Sequence, residues 1–425
     1  MGAELAETLK RPRAIAPQAS AWARWRDRLW PLENGRGAIP ALDGLRAVAA
    51  LSVVVYHATS TVQATTIIGG HNLTWMYFYT ESGVDLFFVL SGFLLFLPFA
   101  RAILKGRAAP RALTFYRRRA LRILPAYYVC LSVIALAETL GGVGPSAGNV
   151  LAHLFMLHDF FPAFNRTISG PFWTLAVEWQ FYIVLPWIAW LIARVSAGKP
   201  GRLALATAGV IALALAIREG CALINVHQAA LPHSVAPAAL LAVRLLISSQ
   251  GKYMEVFGVG MLCAVVYLVA VERGGLSARR SWWIGLALLA LSLGVYVALG
   301  PTLLVRRNAI LAAFYTALNP RDMAMMLGPL TLGIGYGALL LGILLGPELA
   351  RTIFSWRPLR FIGLISYSLY LWHESVINTV YPWLSPAGPK TPLNGVISLA
   401  IGFGVAIPVA YLSYQLVERP FLKMR

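Results

Sequence analysis

The sequence predicts an all-α protein, a polytopic membrane bundle of about ten transmembrane helices with both termini cytoplasmic. Three observations carry that prediction. Hydrophobic residues make up 58% of the 425 positions and charged residues only 12%, about half the charged share of an ordinary soluble domain. Mean hydropathy is +0.68. The apolar residues are gathered into runs of about 20, the length a helix needs to cross a bilayer, and a helix satisfies its own backbone hydrogen bonds in lipid.

Ten such runs are expected near 41–61, 82–100, 121–140, 174–193, 203–217, 251–271, 282–300, 323–345, 361–383 and 394–416. A further short apolar piece at 151–161 reads as a half-span or an interfacial segment. Orientation follows from basic residues, which favour the cytoplasmic side. With these runs, 27 Lys and Arg fall on the side of the termini and seven on the other. Arg306, Arg307 and Arg321 run against the rule. The net charge of +19 therefore reads as membrane orientation and attraction to anionic lipid, not as nucleic-acid binding.

Other classes are excluded by composition. Thirteen Trp, 17 Tyr and 19 Phe are too many aromatics for a disordered chain. Three cysteines, Cys130, Cys221 and Cys263, sit in or beside apolar runs and build neither a disulfide framework nor a zinc cluster. No metal and no tightly bound cofactor is expected. Residues 1–38 lack the apolar core of a signal peptide. Trp22, Trp25 and Trp30 recur there among Arg24, Arg26 and Arg28, a pattern that fits either an interfacial amphipathic helix or a tail with scattered aromatics. Residues 39–421 read as one transmembrane domain, and no C-terminal soluble hydrolase-like domain is expected.

Ionisable side chains inside spans are costly and mark functional sites. Arg46 and His57 lie eleven residues apart on the first span, three turns on one face and about 16 Å along the axis. They read either as a cation and a base sharing one cavity wall, or as an arginine reaching lipid phosphate and a histidine bonded within the bundle. Arg119 and Arg122 are three apart before the third span, hence on one face, and two guanidinium forks there suit phosphate. Arg117 and Arg118 read as positive-inside charge. Asp85 lies near the outer end of the second span, Glu178 near that of the fourth, and His373 with Glu374 in the ninth. Cations thus gather at the inner mouth, while His57, His373, Asp85 and Glu178 are expected from the midplane outward. His153, His158 and Asp159 do not have metal-ligand spacing. Asn72-Leu73-Thr74 and Asn165-Arg166-Thr167 match a glycosylation sequon. There is no Walker loop, dinucleotide fingerprint, H-E-x-x-H or G-x-S-x-G motif.

Six motifs in order resemble the membrane-bound acyltransferase-3 family, typified by O-antigen and exopolysaccharide O-acetyltransferases and macrolide acyltransferases. They are the Arg46 to His57 pair, Ser82 to Leu94, Arg119 to Arg122, Trp173 to Tyr182 around Glu178, Ser366 to His373, and Glu418-Arg419-Pro420-Phe421. The resemblance covers nearly the whole chain after residue 38. It implies transfer of an acyl group, usually acetyl from cytosolic acetyl-CoA, to a hydroxyl on a glycan or other acceptor in the cell envelope. It also implies a multi-pass protein of the cytoplasmic (inner) membrane. Arg46, His57, Arg119 and Arg122 match the family's functional motifs. Glu178 and His373 match its other recurrent polar positions. Many members carry an aromatic residue and then Pro after the late histidine, where this chain has Glu374 and Ser375.

The expected mechanism has Arg119, Arg122 and Arg46 holding the phosphates of an acyl-CoA donor. His57 acts as general base or as transient acyl carrier, both suited to an imidazole. Glu178 and Asp85 bind acceptor hydroxyls or orient a histidine, and His373 with Tyr370 polarises the oxyanion. The expected partners are the acyl-CoA, a glycan or lipid-linked glycan acceptor, membrane lipid and, where a second protein finishes the transfer, a separate periplasmic acyltransferase or polysaccharide-synthesis complex. The alternative is a secondary transporter or flippase for an anionic metabolite, against which stands the lack of two related halves.

Overall fold

A computed structural model of the chain describes residues 39–62, 67–68, 71–72, 80–226, 242–243, 253–272, 278–304, 320–385 and 392–424. The expected amphipathic segment 1–38 lies outside these residues, as do Arg306, Arg307 and the last two residues of the first sequon.

The described chain is almost entirely helical. Its first half holds α1 (Pro40–Thr61), α2 (Gly83–Leu104), α3 (Ala112–Leu140), the short α4 (Ala147–Leu154), α5 (Phe172–Ser196) and α6 (Pro200–Val226). There follow α7 (Met254–Glu272), α8 (Ala278–Leu304), α9 (Pro320–Leu345), α10 (Glu348–Phe354) and α11 (Arg357–Leu364). The chain then runs through α12 (Ser366–Leu384), α13 (Pro392–Gly404), α14 (Ala406–Ser413), a π turn at Tyr414–Glu418 and α15 (Arg419–Leu422). A two-residue antiparallel pairing joins Ile67–Ile68 to His71–Asn72.

The described residues of the ten expected apolar runs fall mainly on helix. Seven described helices are long and apolar enough to cross a membrane, or eight if α9 and α10, bent by 109° at their junction, count as one broken span. Helix α12 falls short on apolar content because it carries Ser366, Ser368, His373, Glu374 and Asn378, the kind of residue a spanning helix keeps only for a site. The 151–161 piece is not one continuous helix. Residues 147–154 make two turns, and a 3₁₀ turn follows at His158–Phe160.

Packing explains which face each helix buries. On α3, Ile123, Tyr127, Cys130 and Ile134 point inward, while Val129, Val133, Leu136 and Leu140 form an exposed apolar stripe. Both rows follow the i, i+3, i+4 spacing of one helix face, and the outer row suits lipid. Helices α2 and α7 approach backbone to backbone. A Cβ on Gly92 would meet the carbonyl of Phe257, and one on Gly260 the carbonyl of Val89, so small residues set this interface.

Two apolar clusters fix α1 against α12. Ala50 and Val54 pack with Ile365, Leu369, Ala406 and Ala410, and Ala58 packs with Ile377 and Ile401. His373 stands four residues after Leu369 and four before Ile377, and His57 stands between Val54 and Ala58. The helical repeat therefore aims both imidazoles into the α1–α12 seam.

Candidate active site

Two cavities formed by the described residues bear on the site. The first is narrow, about 90 Å³, and is lined by Arg46 of α1, Arg119 and Arg122 of α3, Glu178 and Tyr182 of α5, and Ser91 of α2. Arg119 and Arg122 face it because they are one turn apart. Arg117 and Arg118, rotated off that face, are exposed. Three guanidinium groups against one carboxylate leave the lining cationic. The buried Nε of Arg119 has no hydrogen-bond partner among the described residues, and a buried donor without a partner is costly. An anion would satisfy it.

Glu178 is held in this cavity rather than toward the opposite end. Ser91 Oγ donates to its Oε1 at 2.5 Å, and Tyr182 is hydrogen-bonded to it one turn along α5. The expectation that Glu178 shares a site with His57 is therefore corrected. Its position within α5, almost two turns below the helix start, carries it to the arginines. Glu418, 1% exposed, accepts a hydrogen bond from Ser368 Oγ and lies within electrostatic range of Arg122 and Arg46. Ser91, Tyr182 and Glu418 lie inside motifs quoted for the resemblance, but the first two carry no charge and Glu418 stands past the last expected span, so depth in a span did not mark them.

The second cavity is wide, about 1150 Å³, and is lined by His57, Glu374, Tyr56, Glu81, Arg166 and Trp173, among others. Its hydrogen bonds fix one histidine tautomer. His373 Nδ1 lies 3.0 Å from the carbonyl of Leu369 and 2.9 Å from that of Tyr370. Carbonyls accept only, so this nitrogen carries the proton and, in the neutral ring, Nε2 is an acceptor. His57 Nδ1 lies 3.0 Å from that Nε2 and 3.0 Å from the carbonyl of Val53. Both partners need a donor, so His57 also carries its proton on Nδ1. Its Nε2 lone pair is left facing the wide cavity, with Glu374 Oε1 3.8 Å away. In the neutral ring this geometry presents Nε2 as a base, oriented from behind by a second buried imidazole.

The cavities meet at two residues, Val84 and Tyr370, which line both. The hydroxyl of Tyr370 is 2.6 Å from Thr174 Oγ1 and 3.2 Å from the carbonyl of Pro171, while its ring stands edge-on to Phe87. The cavity wall expected to carry both Arg46 and His57 is thus divided between two chambers that share Val84 and Tyr370 in their linings. The expected oxyanion pair is also corrected. Tyr370 spends its hydroxyl on Thr174 and Pro171, and His373 spends its N–H on carbonyls, so neither has a donor to spare.

Asp85 lines neither cavity. It is 8% exposed at the start of α2, in the field of Glu81, Glu255 and Arg218. The last two form a buried ion pair between α6 and α7. It directly follows the shared Val84, and that one helical step turns it toward α7. His153 and His158 also lie apart from both cavities, their rings stacked at 3.9 Å and 2°. Burial and then the neighbouring His153 push His158 down to about 3. Burial lowers His153 as well. Among the described residues no group of three or more His, Cys, Asp or Glu is placed to hold a metal ion.

A protein-family profile for an acyltransferase domain, acyltransferase-3, matches residues 39–415. Over 403 residues the chain is 25% identical to "Peptidoglycan O-acetyltransferase OatA" of Listeria monocytogenes, across 91% of this chain and 56% of that protein. Over 424 residues it is 25% identical to a Bacillus subtilis protein named "Putative peptidoglycan O-acetyltransferase YrhL", across 90% of this chain and 54% of the other. The chain spans little more than half the length of these curated relatives. No solved structure matches it.

Proposed function

Because the chain belongs to the acyltransferase-3 domain family, we propose that it is a membrane O-acetyltransferase. In this reading it moves an acetyl group from cytosolic acetyl-CoA to a hydroxyl of a cell-envelope glycan. Peptidoglycan is the first acceptor to test, since the relatives carry that substrate in their names. The observation that carries the reading is the pairing of two unlike chambers across Tyr370. One is narrow and cationic, suited to a thin, phosphate-bearing thioester arm. The other is wide, with aromatic and carboxylate groups around a free imidazole nitrogen, suited to a sugar.

Arg119, Arg122 and Arg46 bind the donor phosphates by charge-assisted hydrogen bonds. Along α2 the narrow chamber runs from Leu95 to Val84, about 16 Å of helix, which leads the thioester toward the shared wall. Movement at Tyr370 brings the carbonyl to His57. The acceptor hydroxyl gives its proton to His57 Nε2 as its oxygen attacks the thioester carbon. The C–O bond forms, the C–S bond breaks, and the imidazolium returns the proton to the departing thiolate.

The test follows radiolabelled acetyl-CoA supplied to membranes containing wild-type protein or His57→Ala, with label counted in isolated peptidoglycan and in other envelope glycans. Wild type transfers label and His57→Ala loses at least about a hundredfold in rate. A normally inserted His57→Ala protein that acylates near the wild-type rate overturns the assignment. Solute uptake into vesicles without acylation would identify a transporter instead.

A further inference from the structure

The carboxylate of Glu374 is a group in the wide cavity that the reaction above leaves unused. Glu374 follows His373 on α12, so the helical step of about 100° turns it out of the α1–α12 seam and into the cavity. There its Oε1 stands 3.8 Å from His57 Nε2. Among the described residues it is the one carboxylate within 4 Å of that ring; Glu81, Glu138 and Arg166 line the same cavity, and Tyr56 and His373 flank the imidazole.

A second observation comes from the opposite wall. Gly170, in the segment entering α5, lies directly against this carboxylate. A Cβ there would fall 2.6 Å from Oε2, 2.7 Å from Oε1 and 3.0 Å from Cδ. Gly170 is not among the residues with positive φ, so its backbone conformation does not demand glycine. What the missing side chain provides is room for Glu374.

We propose that Glu374 is a positioning residue for acyl transfer, the fixed counter-charge for the His57 imidazolium, seated in a notch that Gly170 leaves open. The inference rests on the reading of His57 as the base. At 3.8 Å the carboxylate is too far to hydrogen-bond Nε2 in the resting ring, which leaves that nitrogen free for the acceptor hydroxyl. Once the proton arrives, the ring is cationic, and an anion across a partly desolvated gap stabilises it. The proton still leaves with the thiolate, so Glu374 changes no bond.

The experiment uses Glu374→Gln, Glu374→Asp and Gly170→Ala in the full chain, assayed in membranes with labelled acetyl-CoA and peptidoglycan. Glu374→Gln keeps shape and removes charge, and lowers kcat about tenfold or more while the KM for acetyl-CoA stays at the wild-type value. Glu374→Asp restores charge and recovers most of kcat. Gly170→Ala displaces the carboxylate and reproduces the Gln phenotype. Glu374→Gln turning over at the wild-type rate, or Gln and Asp failing equally, overturns the inference while leaving the functional reading intact. A wild-type protein that transfers no acyl group overturns that reading and this inference with it.

Discussion

Tyr370 Oη lies 2.6 Å from Thr174 Oγ1, between a chamber lined by three arginines and a chamber lined by His57. Thr174 Oγ1 in turn donates to the carbonyl of Pro171 at 3.0 Å, so a chain of polar contacts ties α12 to the start of α5. A partition at Tyr370 has a chemical use in the proposed reaction, because water reaching the thioester would hydrolyse it. Each neutral hydrogen bond contributes about 1 kcal/mol, so the partition is weak enough to open during turnover. Tyr370→Phe removes the hydroxyl and keeps the ring. It is expected to raise acetyl-CoA hydrolysis in the absence of acceptor several-fold, measured as free thiol released by membranes. Hydrolysis unchanged from wild type would show that this hydroxyl pair does not seal the chambers.

The guanidinium groups separate by exposure into two sets with different expected phenotypes. Arg119 and Arg122 face the narrow cavity, while Arg117 and Arg118 are exposed. Losing a charge-assisted phosphate contact costs about 1.5–3 kcal/mol, which is roughly a 10- to 150-fold rise in the donor concentration needed. Arg119→Ala and Arg122→Ala should show it in KM for acetyl-CoA. Arg117→Ala and Arg118→Ala should stay within about threefold of wild type, the size of an ordinary surface change. Donor titration of the four variants checks the division.

How much of this was legible in the sequence varies by residue. Runs of about 20 apolar residues made the helices readable, and the three-residue spacing of Arg119 and Arg122 made their shared face readable. Contacts across long sequence separations were not. Nothing local says that His57 will meet His373, 316 positions away. That meeting depends on Ala50, Val54 and Ala58 packing against Leu369 and Ile377. Glu178 and Asp85 were ranked by depth along their spans, but depth does not tell which neighbour a side chain faces. Ser91 looked like one small residue in an apolar run until Glu178 stood beside it. Glu374 reads from the sequence as a departure from the family pattern, next to His373 in the chain. The turn of α12 sends it to His57 instead.

His373 is expected to matter through the tautomer it imposes. Its Nε2 accepts from His57 Nδ1, which leaves the lone pair of His57 on the side of the wide cavity. His373→Phe fills the apolar seam but offers no acceptor, so His57 loses the partner that fixes its orientation and tautomer. A loss of about a hundredfold in kcat is expected, smaller than the roughly 10⁴-fold loss when a triad histidine loses its orienting carboxylate. His373→Gln, which returns an acceptor oxygen, should recover part of it. Acyl-transfer rates under saturating donor measure both, and equal rates for Phe and Gln would remove the tautomer argument.

The stacked pair His153 and His158 gives a pH dependence whose sign is set by burial. In the unfolded chain a histidine takes up its proton near pH 6.5. In the folded protein burial, reinforced by His153, holds His158 neutral down to about pH 3. Between those values the unfolded state binds more protons, so stability falls as pH falls, by about 1.4 kcal/mol for each unit at the full slope. Above pH 7 neither state is protonated and the effect vanishes. His158→Phe keeps an aromatic ring in the stack and has no proton to bind. Melting temperatures in detergent between pH 7.5 and 5.0 should therefore fall more steeply for wild type than for His158→Phe. Parallel curves for the two proteins would place the titrating group elsewhere.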